Sequence, residues 1–293
     1  MIEILQTSPL HSVQDQGRVG FAGIGIGNAG AWDMRAHQWA QWCLGHTGHQ
    51  PSIELIGGGF RARFLADGWF SLTGADCHGR LDDQPLLPWL AHAVNAGQTL
   101  TLGTPRTGRV AYLGLQADFS ALRWLDSASY SRRDVLGQPL TRGLCLPVST
   151  HAVTPRDVPR QFIPSYQGDL ELSVIPHARW PEAAQQQSYQ VTTLSDRMGT
   201  RLSGEQPLSV QSPEFSAPIP LGAIQVPPEC HPIVLNRDRQ SMGGYPVIGC
   251  ATRLSLGDLA QSAPGRTVYL QTVSQAQARA KLGELADFFG EFP

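Results

Sequence analysis

The stretch Asn236–Gly249, reading NRDRQSMGGYPVIG, decides how the rest of the chain is read. Two adjacent glycines, Gly243 and Gly244, can reach backbone angles with φ > 0 and leave room for another group to approach the main chain. Tyr245 precedes Pro246, which pushes its backbone toward the extended region. Asp238, Arg239 and Gln240 supply an acceptor, a cationic fork and an amide in consecutive positions. Apolar runs flank the stretch, Pro232-Ile233-Val234-Leu235 before it and Val247-Ile248 after it. The expectation is a strand, a polar glycine loop and a second strand. The loop is read either as a functional site or as a hairpin connection without chemistry.

Moving outward, short β-like runs dominate. SIELI, ARFLA, WFSLTGA, TLTLG and VAYLGL fall between residues 52 and 115, separated by turn signals such as Ala66-Asp67-Gly68 and Asn95-Ala96-Gly97. LELSVIP restarts the alternation at residue 170, and TVYLQTV closes it near the C-terminus. Regular short strands of this kind argue for an antiparallel barrel or sandwich. Residues 2–6 read as a first strand. Asp33 is placed to cap a helix from Met34 to about Leu44, with Ala36, Trp39, Ala40 and Cys43 on one face and Gly45 as its stop. Leu256–Gln261 reads as one helical turn. The tail SQAQARAKLGELADFFGEF reads as a helix, opened by a Ser274/Gln277 capping box and carrying Ala278, Leu282, Leu285 and Phe289 on one face. Residues 116–165 lack a pattern and carry several prolines, so they are expected to be an extended surface linker.

Composition removes whole classes of function. The chain has 293 residues and a formal net charge of -2, which gives no electrostatic case for nucleic acid. Lys281 is its sole lysine, so a phosphate loop of the GxxxxGK type is absent and Schiff-base chemistry is disfavoured. The five cysteines contain no CxxC pair, and MIEILQTSPL has no signal-peptide pattern. Reduced thiols and a cytoplasmic location are therefore expected. No apolar run reaches the ~20 residues a membrane helix needs.

Several constellations weaken on inspection. Gly25-Ile26-Gly27-Asn28-Ala29-Gly30 spells GxGxxG, and Glu54 could stand as a ribose-binding acid. A dinucleotide site, however, needs a buried strand entering the first glycine and a helix starting at the loop; here the helix waits until Asp33. Cys43, His46 and His49 could reach one metal, with Cys77 and His78 as further ligand sources, but a fourth ligand must be invented. No metal is expected. GxSxG does not occur, so there is no nucleophile elbow. Arg197 and Arg201, four apart, could grip a carboxylate or phosphate, or lie on a solvated turn.

Read together, SVQDQGRVG (12–20), NAGAWD (28–33), SIELIGGG (52–59), LTGAD (72–76), SDRMGTRLSG (195–204), GAIQVPPECHPIVLNRDRQSMGGYP (222–246) and LAQSAPG (259–265) resemble one family, in the family's order. It is the family of the 5-oxoprolinase C subunit and the biotin-dependent carboxyltransferases. The second subunit of allophanate hydrolase and the antagonist of a sporulation-kinase inhibitor belong to it as well. The chain departs from the family pattern at Ser241-Met242, where two threonines are usual, and at Asp126–Tyr130, where a GSRST-like stretch is usual.

The resemblance implies a mainly β fold of two cyclophilin-like β-barrel domains, 1–166 and 167–293, with a few short helices and a C-terminal helix. It implies one component of an ATP-dependent 5-oxoprolinase complex, active only with 5-oxoprolinase subunits A and B, that hydrolyses 5-oxo-L-proline to L-glutamate. The alternatives are a non-catalytic regulator of a kinase-inhibitor-like partner and a carboxyltransferase-type component acting on urea-like amides. ATP would act in the complex, Mg is allowed beside it, and biotin enters only under the last alternative. As catalytic groups the resemblance suggests Asp238, Gln240, Tyr245 and Arg201. As substrate-binding groups for a small amide or lactam it suggests Gly243, Gly244, Gln225, Arg197, Gln14, Asp15 and Arg18.

Overall fold

The computed structural model describes residues 2–46, 50–147 and 153–289. The chain divides into two compact units, residues 1–19 with 28–167, and residues 20–27 with 168–293. The fold is mainly β, as expected, and all strand pairings but one are antiparallel among the described residues.

The first unit holds two sheets. A six-stranded sheet runs in the order Cys145–Leu146, Ile2–Gln6, Phe60–Phe64, Thr99–Leu102, Arg80–Leu81, Gln84–Pro85. A five-stranded sheet runs Ser12–Gln14, Ser52–Ile56, Thr107–Leu115, Gly68–Asp76, Leu90–Val94. Phe60–Phe64 shows why these residues make strands. Phe60, Ala62 and Phe64 are buried while Arg61 and Arg63 are exposed, the two-residue alternation of a sheet with one face on a core. Ser52–Ile56 is buried throughout, because its other face lies under the helix Met34–Cys43.

That helix starts where expected. The Asp33 side chain accepts from the Ala36 amide, and Ala36, Trp39, Ala40 and Cys43 are fully buried. Its carbonyls are tied to the sheet by Thr73 Oγ1 on Ala36 O (2.6 Å) and Ser71 Oγ on Ala40 O (2.7 Å). Gly114 permits this approach, since a Cβ there would stand 2.9 Å from Ala40 O. Burial of each large side chain in this core contributes on the order of 1.5–3 kcal/mol.

The linker expectation fails. Leu122, Ala128, Leu140 and Leu146 belong to the core of the first unit, and Cys145–Leu146 pairs with the first strand. Sequence patterning missed this because the segment is held by polar side chains rather than by an alternating apolar face.

The second unit is a closed barrel in the order Leu170–Pro176, Val247–Ala251, Ala223–Gln225, Ile233–Leu235, Gly199–Gly204, Ser188–Val191, Thr267–Thr272. The parallel pairing of Leu170–Pro176 with Thr267–Thr272 closes it. Leu172, Val174, Tyr189, Leu202, Ile224, Val234, Ile248 and Val268 fill the interior. The helix Arg253–Ala260 begins three residues earlier than expected, because Thr252 caps it by accepting from the Ser255 amide. The C-terminal helix Gln275–Phe289 opens with the expected capping box: Gln277 Oε1 accepts from the Ser274 amide (2.8 Å), and Ser274 Oγ accepts from the Gln277 amide (3.2 Å).

Candidate functional site on the outer face of the barrel

The 236–246 loop is not a hairpin. The strands it joins, Ile233–Leu235 and Val247–Ala251, are separated in the barrel by Ala223–Gln225, so the loop crosses over that strand. Along its way Met242–Gly243 pairs with Ala217–Pro218, and the Ile219 amide donates to Ser241 O (2.9 Å). These segments form a small flap over the outside of the barrel. Ile219, Ala223 and Leu235 are buried beneath it, with Ile233 and Val247 packed alongside.

The register sets out what lies under the flap. Arg201 is paired with Ile233, Ile233 with Gln225, and Gln225 with Val247. Residues paired across strands point to one face. Their neighbours Leu202, Val234 and Ile224 fill the interior, so this row faces outward. Arg201 and Gln225 stand two strands apart, roughly 10 Å at the usual strand spacing. Arg201 is exposed. Gln225 is 3% exposed, and its Nε2 has no hydrogen-bond partner.

Gly243 sits against that amide. A Cβ at Gly243 would stand 3.0 Å from Gln225 Nε2 and 3.3 Å from Gln240 Nε2, and would collide with Ile219 Cδ1. Neither Gly243 nor Gly244 has positive φ. The glycines are needed here for close approach rather than for an unusual turn. A Cβ on Gly244 would meet Ser216 Oγ at 3.3 Å, and Tyr245 beside it is 46% exposed.

Two sequence motifs meet at the edge of the loop. Asn236 donates from its backbone to Met198 O (2.9 Å) and from Nδ2 to Asp196 O (2.9 Å) and Thr200 Oγ1 (3.0 Å). The Asp238 amide donates to Arg197 O (2.9 Å). Arg197 grips Asp238 side-on, Nε to Oδ2 and Nη2 to Oδ1, both at 2.9 Å. This pair therefore clamps loop 195–199 to loop 236–239, committing to each other the groups expected to touch a ligand. Arg239 lies outside the expected site. It donates from Nε to Ile219 O (3.1 Å), bracing the flap. Burial pushes its guanidinium down, opposed by the neighbouring Cys250, whose thiol is pushed up by its own burial.

The expected residues of the first half make a separate cluster in the first unit. Gln14 Nε2 donates to Ser12 Oγ (2.9 Å) and Tyr130 O (2.8 Å), and its Oε1 accepts from the Gly30 amide (3.1 Å). Asp15, 3% exposed, accepts from Ser127 Oγ and Ser129 Oγ (both 2.6 Å), the Ala128 amide (2.7 Å) and the Gly17 amide (2.8 Å). Burial alone pushes its carboxyl up, but the two hydroxyls and two amides outweigh it and hold Asp15 below its ordinary value. Ser127 and Ser129 were missed in the sequence. The alternation of hydroxyls in Ser127-Ala128-Ser129-Tyr130-Ser131 was the signal, and all three serines are buried. Arg18 is fully buried in the same cluster.

The nucleotide reading falls away. Glu54 is buried and accepts from the Trp32 amide and the Tyr112 hydroxyl, both at 2.7 Å, so it holds the first helix in place rather than a ribose. The GxGxxG stretch leads into antiparallel strands, not a parallel nucleotide-binding sheet. His49 lies outside the described residues, and no group of three metal-ligating side chains occurs among those described. No helix among the described residues is long and apolar enough to cross a membrane. A shallow concavity near Trp69 and Gln116, with a cavity volume of about 20 Å³, contains none of the candidate residues. Its lining is mostly apolar, with Asp67 and Gln116 among its polar side chains.

A mainly β protein with a barrel, a glycine-lined flap and a buried amide beneath it defines the class by its structure. Residues 24–272 match the family described as carboxyltransferase domain, subdomain A and B, and the chain belongs to that family. It is 33% identical to the C subunit of 5-oxoprolinase from Haemophilus influenzae, over 96% of this chain and 94% of that one. It is 31% identical to the corresponding C subunit from Escherichia coli, over 95% and 93%. The K. lactis urea amidolyase structure shares the fold, with a TM-score of 0.84 and 22% identity over 99% of this chain. The chain spans 20% of that enzyme, and 55% of the solved TTHA0988 chain, which it matches with a TM-score of 0.82 and 26% identity.

Proposed function

We propose that this chain is the C subunit of an ATP-dependent 5-oxoprolinase complex and that the flap over Gln225 receives the lactam. One observation carries the reading: the Gln225 amide is buried, unpartnered and covered by a glycine, in the same outward row as Arg201. A buried donor without an acceptor costs about 1–3 kcal/mol, which a bound carbonyl would recover. In this reading Gln225 Nε2 donates to the lactam oxygen, which holds the C=O polarised and oriented, and Gln240 offers the neighbouring amide. Gly243 and Gly244 let the ring reach both, Tyr245 flanks it, and Arg201 meets its carboxylate. Arg197 with Asp238 holds the loop in register. ATP, with Mg beside it, enters through subunits A and B, and no residue of this chain is assigned to it. A cytoplasmic location and the domain limits 1–166 and 167–293 go with this reading.

A second reading rests on the family itself and on 25% identity to the urea amidolyase of Lachancea kluyveri, of which the chain spans 17%. There the same flap would hold a urea-like amide, and biotin would be the group a partner presents.

The test mixes the chain with subunits A and B and follows ATP-dependent glutamate release from 5-oxo-L-proline. Gln225→Leu should lower release at least about tenfold, the worth of one donor to a developing charge, without lowering the thermal midpoint of the chain. Full release by Gln225→Leu would remove the assignment. No release by the wild-type mixture, with biotin-dependent carboxylation of urea instead, would favour the second reading.

A further inference from the structure

We propose that Arg18 is the receptor for a small monovalent carboxylate, held within the first unit beneath the segment Trp124–Gly137. The residues of this site belong to the first unit and those of the flap to the second, and the inference does not depend on the function proposed for the flap. Arg18 is 0% exposed. A guanidinium carries five N–H donors, yet Arg18 makes one long hydrogen bond, from Nη2 to Ser127 O at 3.4 Å. Its Nε and Nη1 are buried without partners. The Trp124 ring, itself 45% exposed, covers the guanidinium at 5.6 Å. Gly137 lines another side, where an added Cβ would stand 3.5 Å from Nη2. A buried cation is retained when something neutralises it.

No acidic side chain among the described residues takes that role. Asp15 and Asp134 both act on Arg18 through their charge, and they oppose the downward push that burial gives its guanidinium. Neither forms an ion pair with it. Asp15 is committed to Ser127, Ser129 and two backbone amides. Asp134 accepts from Ser131 Oγ at 3.0 Å and lies 3.7 Å from Arg133. Acceptors for Nε and Nη1 are therefore not supplied by any side chain among the described residues.

The same two aspartates limit the charge of the occupant. With two carboxylates already acting on the guanidinium, a dianion is disfavoured, so the occupant proposed is a monocarboxylate, whose two oxygens match the open Nε and Nη1, rather than a phosphate dianion. The covering segment is tightly turned: bridges pair Trp124 with Ser127 and Ser131 with Leu136. Leu125, Asp126 and Val135 in these turns adopt positive φ, a conformation that the surrounding contacts must impose.

The test uses the full chain at neutral pH. Thermal midpoints are measured in acetate and in chloride at matched ionic strength, and in phosphate at a pH where it is a dianion. Tryptophan fluorescence is followed through the acetate titration. Acetate should raise the midpoint by a few degrees with a saturable dose dependence, and quench a component that Trp124→Phe lacks. Arg18→Gln should lose both responses. Trp124→Phe should keep the thermal one. The proposal is overturned if acetate acts like chloride on the wild type, as it would if water alone satisfied the arginine, if Arg18→Gln responds equally, or if phosphate dianion outperforms acetate. Should Arg18→Gln fail to fold, the wild-type titration with its Trp124→Phe control still decides.

Discussion

Replacing Asp15 by alanine tests whether this motif residue is a brace or a reactant. The carboxylate accepts four hydrogen bonds of 2.6–2.8 Å at 3% exposure. Each bond to a charged acceptor is worth roughly 1.5–3 kcal/mol, and bonds sharing one acceptor are far from additive. Truncation also strands two serine hydroxyls and two amides in the interior, although the serines can turn to each other. The net loss expected is about 3–5 kcal/mol, in the range for stripping one partner from a buried ionic network. At about 2–4 °C per kcal/mol for a domain of this size, the transition of the first unit should fall by roughly 10 °C. The assay is urea and thermal unfolding followed by two probes, because two units need not unfold together. A loss below about 1 kcal/mol would refute the clasp, and a mutant of unchanged stability lacking only complex activity would return Asp15 to chemistry.

The same carboxylate gives a pH signature. Its folded-state pKa is depressed, so its contribution is fully present above the unfolded value near 3.9 and is lost as pH falls through the lower folded value; acid unfolding curves should show this component in the wild type and not in Asp15→Asn. Truncating either Arg197 or Asp238 alone should cost stability at the low end of ~3–5 kcal/mol, while the double mutant should recover part of it, as a double-mutant cycle on chemical denaturation will measure. Burial chiefly pushes the Cys43 and Cys77 thiols up to about 12. At pH 8 a thiol reagent should label exposed Cys145 in the native protein and reach Cys43 and Cys77 only after unfolding, as mass mapping will show.

What the sequence disclosed depended on how local the physics was. The first helix was readable because its cap and its apolar stripe lie within eleven consecutive residues, Asp33–Cys43. Most strands were readable from short β-branched and aromatic runs set off by turn residues, even where, as in Ser52–Ile56, burial does not alternate. The barrel row was not, because Arg201, Ile233 and Gln225 come together only through pairings between distant segments. Of the two reasons for singling out the glycine pair, close approach holds and positive φ does not: Gly243 makes room for Ile219 and Gln225 without a left-handed turn. Residues 116–165 looked like linker because their order comes from serines closing on Asp15, and hydroxyl clusters have no periodicity of the kind that apolar faces impose.

Gln225 and Arg18 are not the sole buried polar groups left open; the indole N–H groups of Trp32 and Trp180, the Thr192 hydroxyl and His231 Nδ1 are also unpartnered. The difference lies in what the side chain is for. An indole ring is a large apolar body with one polar atom, and its packing alone explains its presence. A leucine would fill the volume of Gln225, and a methionine that of Arg18, with no desolvation to overcome. Under the two proposals above, the amide and the guanidinium each take an acceptor that the chain does not itself supply. If the two acceptors bind independently, Gln225→Leu and Arg18→Gln should remove their respective responses singly and add in the double mutant. Loss of the acetate response in Gln225→Leu would instead mean that the two responses are coupled.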